Sequence, residues 1–177
     1  LKRFRKEFAP LYWLTDKLVG SKVRNRAGGR IRFFVSGGAA LAPKISDFFN
    51  SFGLTILQGY GLTETTAASC LNLPEDNRPW TVGPPIAGVQ VELAPDGEVL
   101  IKGSSVMKGY FKLADATAAA IDADGWFHSG DIGEFEDGRL KITDRKKDIL
   151  VLGNGKNIAP QNIENTLATD PFIEQAV

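Results

Sequence analysis

Residues 30–58 read RIRFFVSGGAALAPKISDFFNSFGLTILQ, and this stretch decides the fold class. Its first seven residues, RIRFFVS, are rich in β-branched and aromatic side chains and predict a buried strand. Gly37-Gly38 follows at once, and residues 39–53 predict a helix that ends near Gly53. A second short strand is predicted over residues 54–58. Strand, helix and strand in this order and at this length indicate a parallel α/β sheet.

The region after this unit has a different pattern. Prolines between residues 74 and 85 break any helix, and short strand patterns follow at residues 89–93, 98–102, 133–135 and 140–143. The turn signals PDG at 95–97 and DG at 137–138 predict hairpins, and residues 114–121 predict one helix. A third segment begins near Asp144 with a basic turn, a strand and a helix over 159–167. We therefore predict an α/β lobe at 1–73, a small antiparallel β subdomain at 74–143 and a separate segment at 144–177.

The first 18 residues carry apolar side chains at helical spacing among basic residues, and Pro10 is expected to divide that helix. A basic amphipathic helix either packs on its own domain or lies on an anionic membrane surface. The sequence has no apolar run of the ~20 residues that a membrane-spanning helix needs. We expect a cytoplasmic protein, with peripheral contact to the inner membrane surface as the alternative.

The charge balance argues against a polyanionic partner. Lysine plus arginine equals aspartate plus glutamate, 21 each, whereas binding of nucleic acid needs a clustered positive surplus. The single cysteine, Cys70, excludes an internal disulfide and fits a reducing compartment. Because the sequence starts without methionine and stops inside a predicted strand, we expect it to be a piece of a longer protein.

Two glycine-rich stretches are candidate ligand loops. Gly37-Gly38, between a strand and a helix, lets the backbone approach a flat ligand, or it is a plain strand-to-helix turn, which this motif taken alone favours. In QGYGLTETT, residues 58–66, Tyr60 stands between two glycines where its ring can stack on a base. Thr63 offers a hydroxyl to a phosphate, and Glu64 is a hard oxygen ligand of the kind that magnesium prefers. The alternative is a polar loop in which Thr63 caps a helix.

Two further stretches place charged side chains near predicted strands. In GWFHSGDIG, residues 125–133, Asp131 can accept hydrogen bonds from both hydroxyls of a ribose, or it is an ordinary turn aspartate. His128, the single histidine, is interpreted as a packing residue or a local hydrogen-bond partner. Arg145 lies in a run of charged residues and can fork onto a ribose or phosphate oxygen, or it belongs to a solvated turn.

The order of these stretches carries more information than any one of them. FFVSGGAAL, LQGYGLTET, GWFHSGDIG and DRKKDILVLGNGKNIAPQNIE resemble, in this order and at these separations, the characteristic boxes of the adenylate-forming superfamily. The resemblance covers essentially the whole chain, and its first part looks most like bacterial long-chain acyl-CoA synthetases. It implies an α/β fold made of a parallel lobe, a small antiparallel β subdomain and the start of a C-terminal lid at 144–177.

The resemblance also implies which residues bind the nucleotide. Asp131 would hold the ribose hydroxyls with help from Arg145, Thr63 would contact the α-phosphate and Glu64 the magnesium ion. The residues that would line the adenine pocket are Gly37, Gly38, Ala39, Gln58, Gly59 and Tyr60.

Two further positions of the resemblance concern the lid. Lys147 matches the hinge about which the family's C-terminal lid rotates, and Gly155 matches the loop that borders the pantetheine tunnel. The implied reaction uses ATP, Mg²⁺ and CoA: the carboxylate of a fatty acid attacks the α-phosphorus, pyrophosphate leaves, and the CoA thiol then displaces AMP.

The sequence lacks two features of the resembled family. Nothing before Gly37 matches its phosphate loop, and the lysine that serves adenylation lies beyond Val177. We therefore expect this piece alone to be inactive. The alternatives are a non-catalytic nucleotide-binding module, a purely structural fragment, or a parent enzyme that adenylates another carboxylic acid, such as a luciferase-like or amino-acid-adenylating enzyme.

Overall fold

The computed structural model describes residues 13–151, 157–158, 160–167, 170 and 172–173. The described chain starts in helical residues 13–15, which continue as a π-helix at Asp16–Gly20 and as α1 at Ser21–Arg26. Arg24 fixes this helical segment, because its guanidinium contacts both carboxylate oxygens of Asp16 at 2.7 and 2.9 Å and donates to the carbonyl of Phe52 at 2.7 Å. The first part of the predicted helix, with the expected break at Pro10, lies outside the described residues.

The predicted parallel α/β unit is confirmed. It consists of β1 at Phe34–Ser36, α2 at Pro43–Ser51 and β2 at Ile56–Tyr60, and β1 pairs parallel to β2. Proline suits the first turn of α2 because the missing N–H there needs no intrahelical partner. A two-residue strand, β3 at Cys70–Leu71, pairs antiparallel to the other side of β2, so the sheet order is β1-β2-β3.

The predicted buried strand over residues 30–36 is wrong in length and in burial. Only its last three residues form a strand, and Phe34 and Val35 are 37% and 58% exposed. The reason is topological: β1 is an edge strand, and apolar side chains at an edge are buried only if another element covers them. Within residues 30–58 the buried apolar side chains are those of Leu54 and Leu57, which belong to β2 and its approach.

The four-stranded antiparallel sheet confirms the predicted β region. Its strands are β4 at Val89–Leu93, β5 at Glu98–Gly103, β6 at Phe127–Glu136 and β7 at Arg139–Arg145, in the order β4-β5-β6-β7. Along the chain, the helix α3 at Ala114–Ala120 follows β5 and precedes β6. Both predicted hairpins form, and the second uses Asp137 and Gly138 with φ of 49° and 75°, the positive values that a tight hairpin turn requires.

The proline-rich residues 74–88 connect the two sheets. Asn72 is fully buried and donates to the carbonyl of Thr81 at 2.6 Å, and Leu71 N donates to the carbonyl of Pro84 at 3.1 Å. On the other side, Val82 N donates to the carbonyl of Leu140 on β7 at 2.8 Å. The core follows the same path, since its buried members come from β3, β5 and β7: Cys70, Val99, Ile101 and Leu140. The predicted domain boundary after Leu73 stays a prediction.

The last described elements are short. Leu150–Val151 forms β8 and pairs antiparallel to β9 at Asn157–Ile158, and α4 spans Pro160–Leu167. These bounds agree with the predicted strand and helix of the third segment. In the described parts of the chain, no helix combines the length and the apolar character that crossing a bilayer requires.

Candidate functional site

A buried carboxylate on β6 joins the two sheets. Asp131 is 8% exposed, and its Oδ2 accepts a hydrogen bond of 2.6 Å from the hydroxyl of Tyr60 at the end of β2. Asp131 also pairs across the sheet with Arg145, whose Nε lies 3.6 Å from Oδ1. The structure thus brings together three of the predicted site residues that are far apart in the sequence.

The hydroxyl of Tyr60 is held in its neutral form. Burial, and then the hydrogen bond to Asp131, raise the pKa of Tyr60 well above its usual value of 10.0. The neutral hydroxyl of Tyr60 is therefore available as a hydrogen-bond donor to Oδ2 of Asp131. Among the residues that the structure describes, no group donates a hydrogen bond to the other oxygen, Oδ1, because Arg145 lies beyond hydrogen-bond distance.

Gly37, directly after β1, lies beside Gly59, which belongs to β2 and not to a loop, because the strand predicted to end at residue 58 continues to Tyr60 through its pairing with β3. A Cβ atom built on Gly37 would lie 3.5 Å from the carbonyl oxygen of Gly59, so the two backbones are in close contact. Gly37, Gly38 and Ala39 are exposed, and Gly38 has a φ of 86°. Ligands of open α/β sheets bind at the carboxyl ends of the strands, which is where these glycines lie. The geometry is therefore compatible with the predicted adenine pocket, which stays a prediction.

The side chain of Gln58 has a structural role that the sequence did not indicate. Its Oε1 accepts from Leu41 N at 3.1 Å and its Nε2 donates to the carbonyl of Pro79. The buried amide thus holds the loop after Gly37 against the proline-rich segment. Its predicted contact with a nucleotide remains untested.

Thr63 and Glu64 start a single 3₁₀ turn at Thr63–Thr65. The hydroxyl that caps this turn belongs to Thr65, which accepts from Leu62 N at 3.0 Å, and not to Thr63. The exposed Thr63 hydroxyl has no hydrogen-bond partner in the described part of the chain. The turn ends in a left-handed backbone at Thr66 and Ala67, with φ of 54° and 74°, an arrangement that costs energy in residues other than glycine.

Glu64 is held by the loop that follows β5. Its Oε1 accepts a hydrogen bond of 2.9 Å from the hydroxyl of Tyr110, and its carbonyl accepts from Met107 N at 2.7 Å. Thr66 Oγ1 donates to the carbonyl of Ser105 at 2.8 Å and adds a third contact. Tyr110 is a candidate site residue that sequence reasoning missed, because nothing local relates it to a residue so far along the chain.

The turn after β7 carries Lys147, the predicted hinge. Lys147 is exposed and pairs with no acidic side chain among the described residues. Its neighbour Lys146 is anchored instead, with Nζ at 2.7 Å from Asp96 Oδ2 and 3.0 Å from Glu98 Oε2. The hydrogen bonds that Lys146 donates to Asp96 and Glu98 raise its pKa. Gly155, the predicted tunnel residue, lies outside the described residues.

His128 takes part in the same charged group. Its Nδ1 lies 3.3 Å from Glu98 Oε2, and its Nε2 lies 3.8 Å from Asp122 Oδ2. The interpretation of His128 as a local hydrogen-bond partner is confirmed. The described residues contain no cluster of three or more histidine, cysteine or acidic side chains that could hold a metal ion unaided.

Comparison with known proteins agrees with this geometry. A family model described as AMP-binding enzyme matches residues 7–111. The chain is 45% identical over 163 residues to the long-chain-fatty-acid–CoA ligase FadD15 of Mycobacterium bovis, covering 92% of this chain and 27% of that protein. It is 40% identical over 176 residues to fatty acyl-CoA synthetase A of Dictyostelium discoideum, covering 90% of this chain and 26% of that protein. The chain spans about a quarter of the length of these curated relatives.

Solved structures agree as well. The o-succinylbenzoate CoA synthetase of Bacillus subtilis in complex with the acyl-adenylate intermediate OSB-AMP matches with a TM-score of 0.77 at 29% identity, over 82% of this chain and 32% of that one. The same enzyme in complex with ATP and magnesium ion matches with a TM-score of 0.75 at 29% identity, over 82% of this chain and 33% of that one. Because the family model covers more than half of the chain and the fold matches these structures, the chain belongs to the AMP-binding enzyme family.

Proposed function

We propose that this chain supplies the nucleotide-binding part of an AMP-forming ligase that joins a long-chain fatty acid to CoA through an acyl-adenylate. Support for the substrate class comes from relatives at 40–45% identity that are named as fatty acyl-CoA synthetase and long-chain fatty acid–CoA ligase. Support for the nucleotide comes from the family and from the site around Asp131.

The single observation that carries the proposal is the asymmetric environment of the Asp131 carboxylate. One oxygen is occupied by the hydroxyl of Tyr60 at 2.6 Å, while the other lies beside the exposed guanidinium of Arg145 without a hydrogen bond. A ribose hydroxyl can donate to that second oxygen and accept from Arg145. Hydrogen bonds to charged groups are the strong ones, which suits a residue that must hold a nucleoside in a defined orientation.

Glu64 and Thr63 fit the phosphate end of the same nucleotide. Tyr110 occupies Oε1 of Glu64, and Oε2 has no hydrogen-bond partner in the described part of the chain. A carboxylate oxygen of this kind suits Mg²⁺, which is usually held by one or two carboxylates together with substrate phosphates. When bound there, Mg²⁺ would screen the negative charge of the phosphates. The exposed hydroxyl of Thr63, one residue earlier, can donate to an α-phosphate oxygen.

Each proposed residue has a separate role in the reaction. Asp131 and Arg145 hold the ribose, and Thr63 orients the α-phosphate so that a fatty acid carboxylate can attack the phosphorus in line with departing pyrophosphate. The CoA thiol then attacks the acyl carbon and AMP leaves. Lys147, exposed and without an acidic partner among the described residues, is proposed as the pivot between these two steps.

The proposal is tested by calorimetric titration of this chain with AMP and with ATP plus Mg²⁺. Asp131→Asn keeps an acceptor for Tyr60 but removes the charge, and it should weaken both ligands about 10- to 100-fold, the value of 1.5–3 kcal/mol for hydrogen bonds to a charged group. Glu64→Ala should weaken ATP with Mg²⁺ much more than AMP. Glu134→Ala, which removes an exposed carboxylate paired with Lys141 on the same sheet, is the matched control. A chain that binds neither ligand refutes the proposal.

A further inference from the structure

A buried glutamate lies directly behind the nucleotide site without touching it. Glu98, at the start of β5, is 6% exposed, and its carboxylate reaches across to the two strands that carry Asp131 and Arg145. Oε1 accepts a hydrogen bond of 2.9 Å from Gly130 N, the residue immediately before Asp131. Oε2 accepts from Lys146 Nζ at 3.0 Å, the residue immediately after Arg145.

Gly130 and Lys146 are also bonded to each other. Lys146 N donates to the carbonyl of Gly130 at 2.8 Å, so the two residues and the carboxylate of Glu98 form a closed ring of contacts. Next to this ring, Asp131 and Arg145 face each other as cross-strand partners. A change in the position of Gly130 or Lys146 therefore changes the distance and the angle between the Asp131 carboxylate and the Arg145 guanidinium.

The charge of Glu98 is stabilised in place. Burial alone raises the pKa of Glu98, but its hydrogen bonds with Lys146, His128 and Gly130 N lower the pKa below the usual value of 4.5. A buried carboxylate that keeps its charge is costly unless several donors satisfy it. Here three donors do so, and two of them belong to residues adjacent to the site.

We propose that Glu98 is a positioning residue for the nucleotide site: through Gly130 and Lys146 it fixes the relative placement of Asp131 and Arg145. This inference rests on the proposed function and extends it to residues that do not contact the ligand. Lys146 has the same positioning role, because it links Glu98 to the strand end that carries Arg145.

Substitutions at two positions, Glu98 and Lys146, separate positioning from general stability. Glu98→Gln keeps an oxygen for Gly130 N but turns an amide towards Lys146 and His128. We expect AMP binding about tenfold weaker, the lower end of the loss that follows when a residue orienting a metal ligand is changed. Lys146→Arg keeps the charge and should bind AMP as the unsubstituted chain does, whereas Lys146→Met should approach Glu98→Gln. The double variant Glu98→Gln/Lys146→Met should be no weaker than Glu98→Gln alone, because both changes remove one contact.

The matched control is Glu134→Gln, the same chemical change on β6 in an exposed pair with Lys141 at 2.7 Å. It should leave AMP affinity within twofold of the unsubstituted chain. Circular dichroism and the melting temperature establish that each variant is folded at the titration temperature. Amide exchange of Gly130 reports on the ring directly, and it should accelerate in Glu98→Ala but not in the control.

Failure of the positioning role and failure of the proposed function give different binding results. If the unsubstituted chain binds AMP and both Glu98→Gln and Lys146→Met bind it within twofold of that value, the positioning role is refuted and the proposed function stands. Equal loss of affinity in Lys146→Arg and Lys146→Met also refutes it, since the charge would then be irrelevant. A chain that does not bind AMP at all overturns the proposed function and this inference together.

Discussion

The hydroxyl of Tyr60 offers the sharpest test of the site as a structural unit. Tyr60→Phe removes a single oxygen atom and leaves the buried Asp131 without its only side-chain hydrogen-bond donor among the described residues, since Arg145 lies 3.6 Å away. A hydrogen bond to a charged group contributes about 1.5–3 kcal/mol. We therefore expect the free energy of unfolding to fall by about 2 kcal/mol. For a chain of this size, that loss corresponds to a decrease in melting temperature of about 4–8 °C.

The chain supplies its own control for this change. Tyr110→Phe removes an equivalent hydroxyl, 2.9 Å from Glu64, but Tyr110 is exposed and water can replace the lost donor. Its cost should stay below about 0.5 kcal/mol, as is usual for surface changes. Urea denaturation followed by tryptophan fluorescence measures both variants. Equal stability of the two variants, or a Tyr60→Phe chain as stable as the parent, would refute the reasoning.

The pH dependence of the stability difference between the parent chain and Tyr60→Phe gives a second check on the role of Tyr60. Its pKa is raised in the folded chain, whereas tyrosine in the unfolded chain ionises near pH 10. The unfolded state therefore loses its proton first, and the stabilisation is complete below about pH 10 and declines as the pH rises further. Phenylalanine cannot ionise, so the advantage of the parent chain over Tyr60→Phe should shrink above pH 10. A constant difference between pH 8 and 11 would contradict this assignment.

Three other predictions concern the surroundings of the site. Cys70 is fully buried, and burial raises the pKa of its thiol to about 12. A thiol reagent at pH 8 should therefore label it only when the chain unfolds, and fast labelling of the native chain would contradict the structure. Gly61→Ala would place a Cβ atom 1.6 Å from the carbonyl oxygen of Ala67 and should lower the free energy of unfolding by more than about 3 kcal/mol. Gly138→Ala should lower it by only about 1 kcal/mol, because there only the positive φ opposes the change. Asn72→Leu removes a buried amide bonded to the carbonyl oxygen of Thr81 at 2.6 Å and should cost at least about 2 kcal/mol in urea denaturation, and an unchanged midpoint would refute that role.

The sequence predicted the secondary structure well where the signal is local. The hairpin turns of the antiparallel sheet have turn residues at their centres, and the strand at Val89–Leu93 begins and ends at the predicted residues. The helix that follows Gly37-Gly38 starts later than predicted, at Pro43, because proline is favoured at the first helical position. The burial of residues 30–36 could not be predicted, because it depends on what lies beside an edge strand.

The candidate site was predictable as a set of residues but not as a set of contacts. The resemblance to adenylate-forming enzymes singled out Asp131, Arg145 and Tyr60, yet their mutual contacts depend on how two sheets meet. The partnership of Tyr110 with Glu64 and that of Glu98 with Gly130 join residues 46 and 32 positions apart. No periodicity or spacing within a short window carries that information, since these pairs exist only after distant parts of the chain have come together in the fold.

The proline-rich segment between the sheets has a consequence for how the chain unfolds. Its backbone is bonded on one side to Leu71 and on the other to Leu140, so the segment loses part of its hydrogen bonds when either sheet opens. The most slowly exchanging amides of β2 and of β6 should therefore open with the same free energy, as members of one cooperative unit. A nucleotide that bridges the ends of these strands would then raise the opening energy of both sheets at once.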